Sequence, residues 1–188
     1  MEPVILRTPR LELSLPRADD VDAIYEACQD PDIQRYTPVP VPYERQHAVD
    51  FVERVAGDWE AGQHLTWAIR EGEHLVGTLG FYRVDGRGAG EIGYWMAPRF
   101  RGGGRLREAG EAAVDWGFSP EGLGLARIEW RAVVGNVGSA KLARTLGFRY
   151  EGLLRQALTG SRGRDDGWIA GLLATDDRRP QQWSVLEH

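Results

Sequence analysis

A glycine-rich stretch flanked by arginines is the part of this sequence best suited to hold a charged ligand. Gly102, Gly103 and Gly104 stand in a row, and four arginines lie within residues 99–107. Apolar residues recur at helical spacing after the glycines, so the loop is expected to open a helix whose first N–H groups carry partial positive charge. Glycine lets phosphate oxygens approach such groups closely. The arginines reverse the local sign of an acidic chain, which favours a polyanionic ligand.

Two common nucleotide-binding motifs do not fit this stretch. The P-loop needs Lys followed by Ser or Thr after its last glycine, whereas Arg105 and Leu106 follow Gly104. The dinucleotide fingerprint needs a further glycine where Arg107 stands, and it needs an early βαβ unit that the sequence does not contain. Taken alone, the glycine turn is also compatible with an ordinary loop that caps a helix.

Composition excludes several classes of protein. The chain has 188 residues, 42% hydrophobic and 27% charged, with a formal net charge of −5. These values are ordinary for a globular protein and exclude collagen-like, disulfide-scaffold and disordered chains. The acidic balance argues against general nucleic-acid binding. The single cysteine, Cys28, excludes an internal disulfide and is interpreted as a buried core residue. No residues have metal-ligand spacing, so no metal is expected.

The sequence contains no segment that predicts a membrane helix or a leader peptide. No apolar run approaches the roughly 18 residues of a membrane helix, and the first residues do not form a basic and then apolar leader. We therefore expect a soluble cytoplasmic protein. No repeat or linker divides residues 1–188, which favours one domain. A homodimer is compatible with the sequence, but no stretch marks its interface.

Hydrophobic periodicity predicts a mixed α/β fold. The predicted helices span 19–29, 44–60, a segment after Gly104, and 139–146. The predicted strands span 10–16, 64–70, 75–84, 91–97, 127–134, 148–158 and 168–174. Asp30-Pro31 is expected to end the first helix, and residues 160–167 are expected to form a polar loop. Three successive strands with short turns predict an antiparallel meander, with parallel pairing where a helix crosses between strands.

Four ordered motifs, together, resemble a known family. They are Thr8–Leu13, Glu91–Pro98, the glycine loop, and Arg127–Phe148, which contains Gly135-Asn136-Val137-Gly138-Ser139 and ends in Leu146-Gly147-Phe148. In combination they resemble the GNAT superfamily of acetyl-CoA-dependent N-acetyltransferases, most of all its RimJ/RimL-type branch, which acetylates the N-terminal amine of ribosomal proteins. The resemblance runs from about residue 6 to residue 175.

The resemblance implies one GNAT domain over residues 1–188. Its sheet would be central and mostly antiparallel, with about six or seven strands, a splayed parallel pair at 91–97 and 127–134, and about four flanking helices. The family loop reads Arg/Gln-x-x-Gly-x-Gly/Ala, which places Arg101 first and Gly104 fourth. Leu106 occupies the sixth position and departs from the pattern, so its side chain must point away from the pyrophosphate or the loop must sit differently.

The resemblance also implies acetyl-CoA as co-substrate and a set of contacts for it. Backbone groups near Met96 and Ala97 would bind the pantetheine arm, and an N–H near Trp95 would donate to the acetyl carbonyl. Asn136 would bind the pantetheine arm while it caps the following helix. The cofactor-binding residues are then Trp95, Met96, Ala97, Arg101, Gly102, Gly103, Gly104, Arg105, Leu106, Asn136 and Ser139.

Two residues are candidates for proton transfer. Many relatives use a tyrosine in this helix to protonate the departing CoA thiolate. Here Ala140 and Ala143 occupy the neighbouring turns, so no tyrosine is available and Ser139 is the candidate. Ser139 would either donate that proton or only contact the cofactor. Glu91 is the candidate base, and it is equally compatible with an ion pair or a solvated strand position. His64 and His74 are interpreted as surface residues. An α-amine has a pKa near 8 and a lysine near 10.4, so a weak base suits an N-terminal acceptor.

The acceptor is expected to bind among the early helices, the loop at 38–43 and the loop at 162–166. Four tryptophans could line that cleft or belong to the core: Trp59, Trp67, Trp95 and Trp168. A protein N-terminus is the first hypothesis for the acceptor. A small-molecule amine, such as an antibiotic, an amino acid or a polyamine, is the second. A non-catalytic protein that binds acyl-CoA is the alternative from another class.

Overall fold

The computed structural model describes residues 1–160 and 163–187, which form eight strands and five α-helices. The strands are β1 (Leu6–Arg7), β2 (Glu12–Ser14), β3 (Leu65–Glu71), β4 (His74–Tyr82), β5 (Ala89–Met96), β6 (Arg127–Val133), β7 (Arg149–Gly160) and β8 (Gly163–Leu173). The helices are α1 (Val21–Ala27), α2 (Pro31–Tyr36), α3 (Arg45–Ala61), α4 (Arg105–Phe118) and α5 (Val137–Thr145). Short 3-10 turns span Ala18–Asp20, Pro98–Phe100 and Ser184–Leu186.

All eight strands belong to one sheet with the order β1-β2-β3-β4-β5-β6-β8-β7. The predicted meander is confirmed, because β3, β4 and β5 pair antiparallel in succession. Among the described strands, β5 and β6 alone pair parallel, and α4 crosses between them. The mixed, mostly antiparallel fold is therefore confirmed, with one or two strands and one helix more than expected.

The parallel pair opens part-way along its length. Pairing between β5 and β6 runs from Ala89↔Arg127 to Ile92↔Trp130 and ends there. Beyond that point β5 continues against β4 as far as Met96. The rest of β6 continues against β8 as far as Val133. The splay implied by the family resemblance is thus present, and it leaves one side of residues 93–96 without a neighbouring strand.

The core explains most of the aromatic residues. Trp59 and Trp67 are fully buried and meet edge to face with ring centroids 4.9 Å apart. Trp168 is also in the core, so the core alternative holds for these three of the four tryptophans. Cys28 is buried as expected, and burial raises the pKa of its thiol to about 12. The thiol therefore stays protonated near neutral pH.

Helix α2 was not predicted. Asp30-Pro31 does follow the end of α1, but it also begins the next helix. The Asp30 carboxylate accepts a hydrogen bond from the Ile33 N–H at 3.0 Å, and Pro31 lies in the first turn, where its missing N–H costs nothing. Asp30-Pro31 therefore marks the end of α1, as predicted, and also the start of α2, which was not predicted.

The predicted polar loop at 160–167 is wrong for residues 163–167, which belong to β8. Leu158 pairs with Asp165, and Gly160 pairs with Gly163, so the pairing extends to the last described residue of β7 and the first of β8. Cross-strand pairing outweighs the polar composition of the segment. Ser161 and Arg162 lie outside the described residues.

A buried ion pair fastens the early helical segment to the sheet. Arg70 donates to both oxygens of Asp20 at 2.7 and 2.6 Å, and both side chains are only 6% exposed. Removing one partner of such a pair leaves a buried charge, at a cost of about 3–5 kcal/mol. We expect Asp20→Ala to lower Tm by roughly 6–20 °C in thermal unfolding.

The control for this change is Asp22→Ala. Asp22 is 73% exposed and pairs with Arg45 at 2.7 Å. Exposed pairs contribute less than about 1 kcal/mol, so Tm should hardly move. Equal shifts in the two variants would contradict the structural role given to Asp20.

Candidate active site

Two cavities meet where β5 and β6 separate. The loop cavity, of about 600 Å³, is bordered by the glycine loop, the end of β5 and the start of α5. The early-helix cavity, of about 520 Å³, is bordered by α1, the loop at 38–43, α3, β5 and β6. Six residues line both cavities: Tyr36, Thr37, Tyr94, Trp95, Asn136 and Ser139. Two ligands could therefore meet at this junction, one from each side of the sheet opening.

The glycine loop presents a group of free backbone donors. Gly102, Gly103 and Gly104 have φ values of 82°, 61° and 76°, a left-handed conformation that suits glycine. Within the described residues, none of their N–H groups donates to a backbone carbonyl. Helix α4 begins at Arg105, and the N–H groups of its first turn have no acceptor within the helix. Gly102, Gly104 and Leu106 border the loop cavity, whereas Gly103 and Arg105 do not. The donors that face the cavity suit phosphate oxygens.

The loop arginines do not make the strong positive field that the sequence suggested. Three of the four hold carboxylates at close range, so their charge is balanced within the protein. The pairs are Arg101–Asp30 at 2.6 Å, Arg105–Glu71 at 2.9 Å and Arg107–Glu111 at 2.8 Å. Attraction for an anion at this loop therefore rests on the N–H groups and the start of α4 more than on net charge.

Leu106 has a structural explanation. Its side chain is half-buried and packs against the hydrophobic core, while the residue still borders the loop cavity. Its N–H belongs to the first turn of α4 and has no acceptor within the helix. A leucine here anchors the helix start without removing a backbone donor from the site.

The register of β5 decides which backbone groups face the opening. The Ala97 N–H donates to the Val76 carbonyl at 2.9 Å, so it is committed to the strand before. In an antiparallel pair, alternate residues face the same neighbour, and Trp95 therefore also faces β4. The groups on the open side belong to Tyr94 and Met96. The N–H donors expected near Trp95 and Ala97 therefore lie one residue earlier in the chain, at Tyr94 and Met96.

Ser139 is held from three directions at the junction. Its N–H donates to the Asn136 side chain at 3.2 Å, which confirms Asn136 as the N-cap of α5. Its Oγ accepts from the indole N–H of Trp130 at 3.0 Å. The same Oγ donates to the hydroxyl of Tyr94 at 3.1 Å.

Tyr94 is a site residue that the sequence analysis missed. The only signal available was the alternation of β5, which places Tyr94 on the face of Ile92 and Met96. That this face also meets α5 follows from the tertiary structure alone. Burial raises the pKa of Tyr94 to about 12, although hydrogen bonds with Ser139 and Trp130 act in the opposite direction.

Glu91 lies in the wall of the early-helix cavity. Burial raises the pKa of its carboxyl group above the ordinary value of 4.5, while the charges of Arg83 and Arg131 oppose that rise. Its Oε2 lies 2.9 Å from Arg83 Nη1 and 3.5 Å from Arg131 Nε. Neither contact has hydrogen-bond geometry, so Oε2 has no hydrogen-bond partner within the described residues. A carboxylate in the wall of a cavity, with a pKa that burial raises, is suited to accept a proton.

The remaining candidates divide between the cavity and other places. His64 and the loop residues Pro38, Val39 and Pro40 line the early-helix cavity, whereas His74 borders neither cavity. Asp165, in the segment expected to contact the acceptor, instead pairs with Arg35 of α2 at 2.9 Å. The expectation for Arg162 falls outside the described residues.

Among the described residues, no group of three or more His, Cys, Asp or Glu side chains is placed to hold a metal ion. No helix in that part of the chain is both long enough and apolar enough to span a bilayer.

Comparison with known proteins gives a consistent result. Residues 10–149 match the family described as acetyltransferase (GNAT) domain. The uncharacterized N-acetyltransferase p20 of Bacillus licheniformis is 32% identical over 153 residues, which cover 80% of this chain and 85% of that protein.

Two solved structures share the fold. RimJ of Mycobacterium smegmatis, in complex with CoA-disulfide, has a TM-score of 0.81 at 24% identity, over 96% of this chain and 93% of its own. RimL, a ribosomal L7/L12 α-N-protein acetyltransferase in complex with coenzyme A, has a TM-score of 0.80 at 20% identity, over 90% of this chain and 98% of its own. At these identities the likeness concerns the fold.

Proposed function

This chain belongs to the GNAT acetyltransferase family and is an N-acetyltransferase, and from that premise we propose that it acetylates the α-amine of a protein N-terminus. Acetyl-CoA and the acceptor bind together, and the amine attacks directly. The observation that carries the proposal is the junction of two cavities at Tyr94 and Ser139. Residues 1–188 act as one acyltransferase domain.

The loop cavity suits acetyl-CoA. The free N–H groups of Gly102–Gly104 and of the first turn of α4 suit the pyrophosphate. The open-side backbone groups of Tyr94 and the N–H of Met96 suit the amides of the pantetheine arm, as strand edges commonly pair with extended ligands. The Met96 carbonyl already accepts from Arg101 Nε at 3.3 Å. Bound in this way, acetyl-CoA supplies an activated acetyl group at the junction.

Residues of the two cavities divide the proton and charge transfers among them. Glu91 accepts the proton that the attacking amine loses, directly or through water. An open-side N–H of β5 donates to the carbonyl oxygen, where negative charge develops as the carbon–nitrogen bond forms. Ser139 donates a hydrogen bond to the sulfur as the carbon–sulfur bond breaks. The sulfur then takes up one proton, which balances the proton given to Glu91.

The chemistry of the amine favours an N-terminus over a lysine side chain. An α-amine with a pKa near 8 is neutral about one time in ten at pH 7, against roughly once in 2,500 for a lysine. A single weakly basic carboxylate such as Glu91 suffices for the first. RimL, which shares this fold, is described as an α-N-protein acetyltransferase, and that description supports the same class of acceptor here.

The cofactor half of the proposal predicts ligand-dependent stability. Acetyl-CoA at 100 times its Kd should add about 2.7 kcal/mol, which at this size raises Tm by roughly 5–10 °C. Thermal unfolding with and without acetyl-CoA measures this shift. ATP and NAD serve as controls and should not reproduce it. A well-folded protein that shows no shift would contradict the assignment of the loop cavity.

The acceptor half is tested by release of the CoA thiol. Peptides with a free α-amine and no lysine should be acetylated, whereas the same peptides with a blocked N-terminus and an added lysine should not. Turnover of small amines without turnover of any peptide would replace the proposed acceptor by a small molecule. A bound cofactor without turnover of any amine would contradict catalysis.

A further inference from the structure

We infer that Tyr94 is a positioning residue, which aims the hydroxyl of Ser139 at the sulfur of the departing CoA. This inference rests on the proposed function and adds a residue to it. Tyr94 lies on β5 and Ser139 on α5, so the two elements that border the opening of the sheet are joined by this contact. Both residues line both cavities.

The hydrogen bonds around Ser139 run in one direction. The Trp130 indole can only donate, so it occupies one lone pair of Ser139 Oγ at 3.0 Å. Ser139 Oγ donates to the Tyr94 hydroxyl at 3.1 Å. The Tyr94 hydroxyl in turn donates to the backbone carbonyl of Ser139 at 3.3 Å, beyond the usual range for an O–H···O bond. The longest of these three hydrogen bonds is therefore the one that Tyr94 breaks when it donates to Ser139 instead.

A sulfur in the loop cavity changes this arrangement without moving a heavy atom. A serine hydroxyl has one hydrogen and two lone pairs. When Ser139 turns its hydrogen to the sulfur, it keeps the bond from Trp130 and turns its second lone pair towards Tyr94. Tyr94 lies 3.1 Å away and turns its own hydrogen from the carbonyl to that lone pair. Ser139 Oγ then accepts from both Trp130 and Tyr94, and its own hydrogen is available to the sulfur.

Tyr94 acts here as a donor of a hydrogen bond and keeps its proton. Burial raises the pKa of its phenol to about 12, so the group stays neutral wherever an amine reacts. A thiolate with a pKa near 8.5 is too weak a base to take that proton. The electron pair of the broken carbon–sulfur bond goes to sulfur, and water delivers the proton that the thiol finally carries. Tyr94 and Ser139 are unchanged at the end.

The test is a double-mutant cycle with Tyr94→Phe and Ser139→Ala. Tyr94→Phe should lower kcat about tenfold and leave KM for acetyl-CoA within about twofold, because only the leaving-group step loses a hydrogen bond. The double variant should lose no more than Ser139→Ala alone, since Tyr94 acts only through Ser139. Losses that multiply, or an unchanged kcat in Tyr94→Phe, would overturn the inference.

A binding measurement keeps this test separate from the acceptor question. The thiol pKa of bound CoA, followed by the ultraviolet absorbance of the thiolate, should be higher in Tyr94→Phe than in the unmodified protein. This readout needs no acceptor, so it stands even if the proposed amine is wrong. Equal values in the two proteins would also overturn the inference.

Tyr150→Phe is the matched control. Tyr150 is a half-buried tyrosine on β7 whose ring packs against Trp183, and it borders neither cavity. The same loss of a hydroxyl there should change neither kcat nor the thiol pKa of bound CoA. A fall of Tm in Tyr94→Phe with normal kcat would show a purely structural role and would count against the inference.

Discussion

Glu91→Gln is expected to lower kcat with an α-amine acceptor by about 10²–10⁴-fold, the usual contribution of a general base. Glutamine keeps the size of the side chain but cannot accept a proton. Binding of acetyl-CoA should be unchanged, because Glu91 lines the early-helix cavity and not the loop cavity. Steady-state rates of CoA release, together with the acetyl-CoA shift in Tm, measure the two effects separately.

The pH profile gives a second readout with a definite sign. A base works in its ionised form, so kcat should fall as pH drops through the pKa of Glu91, which burial raises above 4.5. The α-amine itself, with a pKa near 8, gives a separate acidic limb, which should remain in Glu91→Gln. The variant should lose only the further fall at lower pH that belongs to Glu91, and an unchanged profile would show that another group, or a chain of waters, takes the proton.

Glu129→Gln is the control for Glu91. Glu129 belongs to the same charge cluster, since it pairs with Arg127 and with Arg131 at 3.1 and 2.7 Å. Although burial opposes it, hydrogen bonds from these arginines lower the pKa of Glu129. It borders neither cavity, so its neutralisation should leave kcat and the acidic limb nearly intact. Equal losses in both variants would point to the charge cluster as a whole.

Gly102→Asp should raise the Kd for acetyl-CoA by at least about 100-fold. No atom lies within 4 Å of a Cβ built at this position, so the side chain has room, and the residue borders the loop cavity. A carboxylate there would face the pyrophosphate. Two like charges about 4 Å apart repel by roughly 4 kcal/mol near a protein surface, before screening by counter-ions. Titration calorimetry measures the change.

Gly102→Asn separates charge from conformation. The φ of Gly102 is 82°, and asparagine and aspartate tolerate left-handed conformations about equally well. Both variants therefore have a similar backbone cost, and only aspartate adds charge. The asparagine variant should bind within about fivefold of the unmodified protein. Similar losses in both variants would mean that the loop shape, and not the phosphate contact, had been disturbed.

The features visible in the sequence were those set by local pattern. The meander followed from alternation and short turns, and the helix after Gly104 followed from its apolar periodicity. The helix predicted over 44–60 formed as α3, which Gly62 ends with a φ of 71°. Such features depend on residues close together in the chain, which a single sequence records directly.

The features that the sequence did not predict depend on contacts between residues far apart in the chain. The bond between Tyr94 and Ser139 joins residues 45 positions apart, and the ion pair between Arg101 and Asp30 joins residues 71 positions apart. Eight strands formed where about seven were expected, because β1 is a two-residue segment defined by its pairing with β2, which lies within the predicted strand 10–16. Residue type alone does not indicate which distant residue or strand each of these pairs with.

The balanced charges of the glycine loop have a consequence for how fast a ligand arrives. Long-range attraction by unpaired cations speeds the encounter with an anion and weakens steeply as ionic strength rises. Here Arg101, Arg105 and Arg107 are matched by carboxylates at 2.6–2.9 Å, and the chain as a whole is negative. Capture of a phosphate-bearing ligand therefore depends on short-range fit to backbone N–H groups. Its association rate should be that of an unsteered encounter, nearly constant from dilute buffer to the ionic strength of a cell.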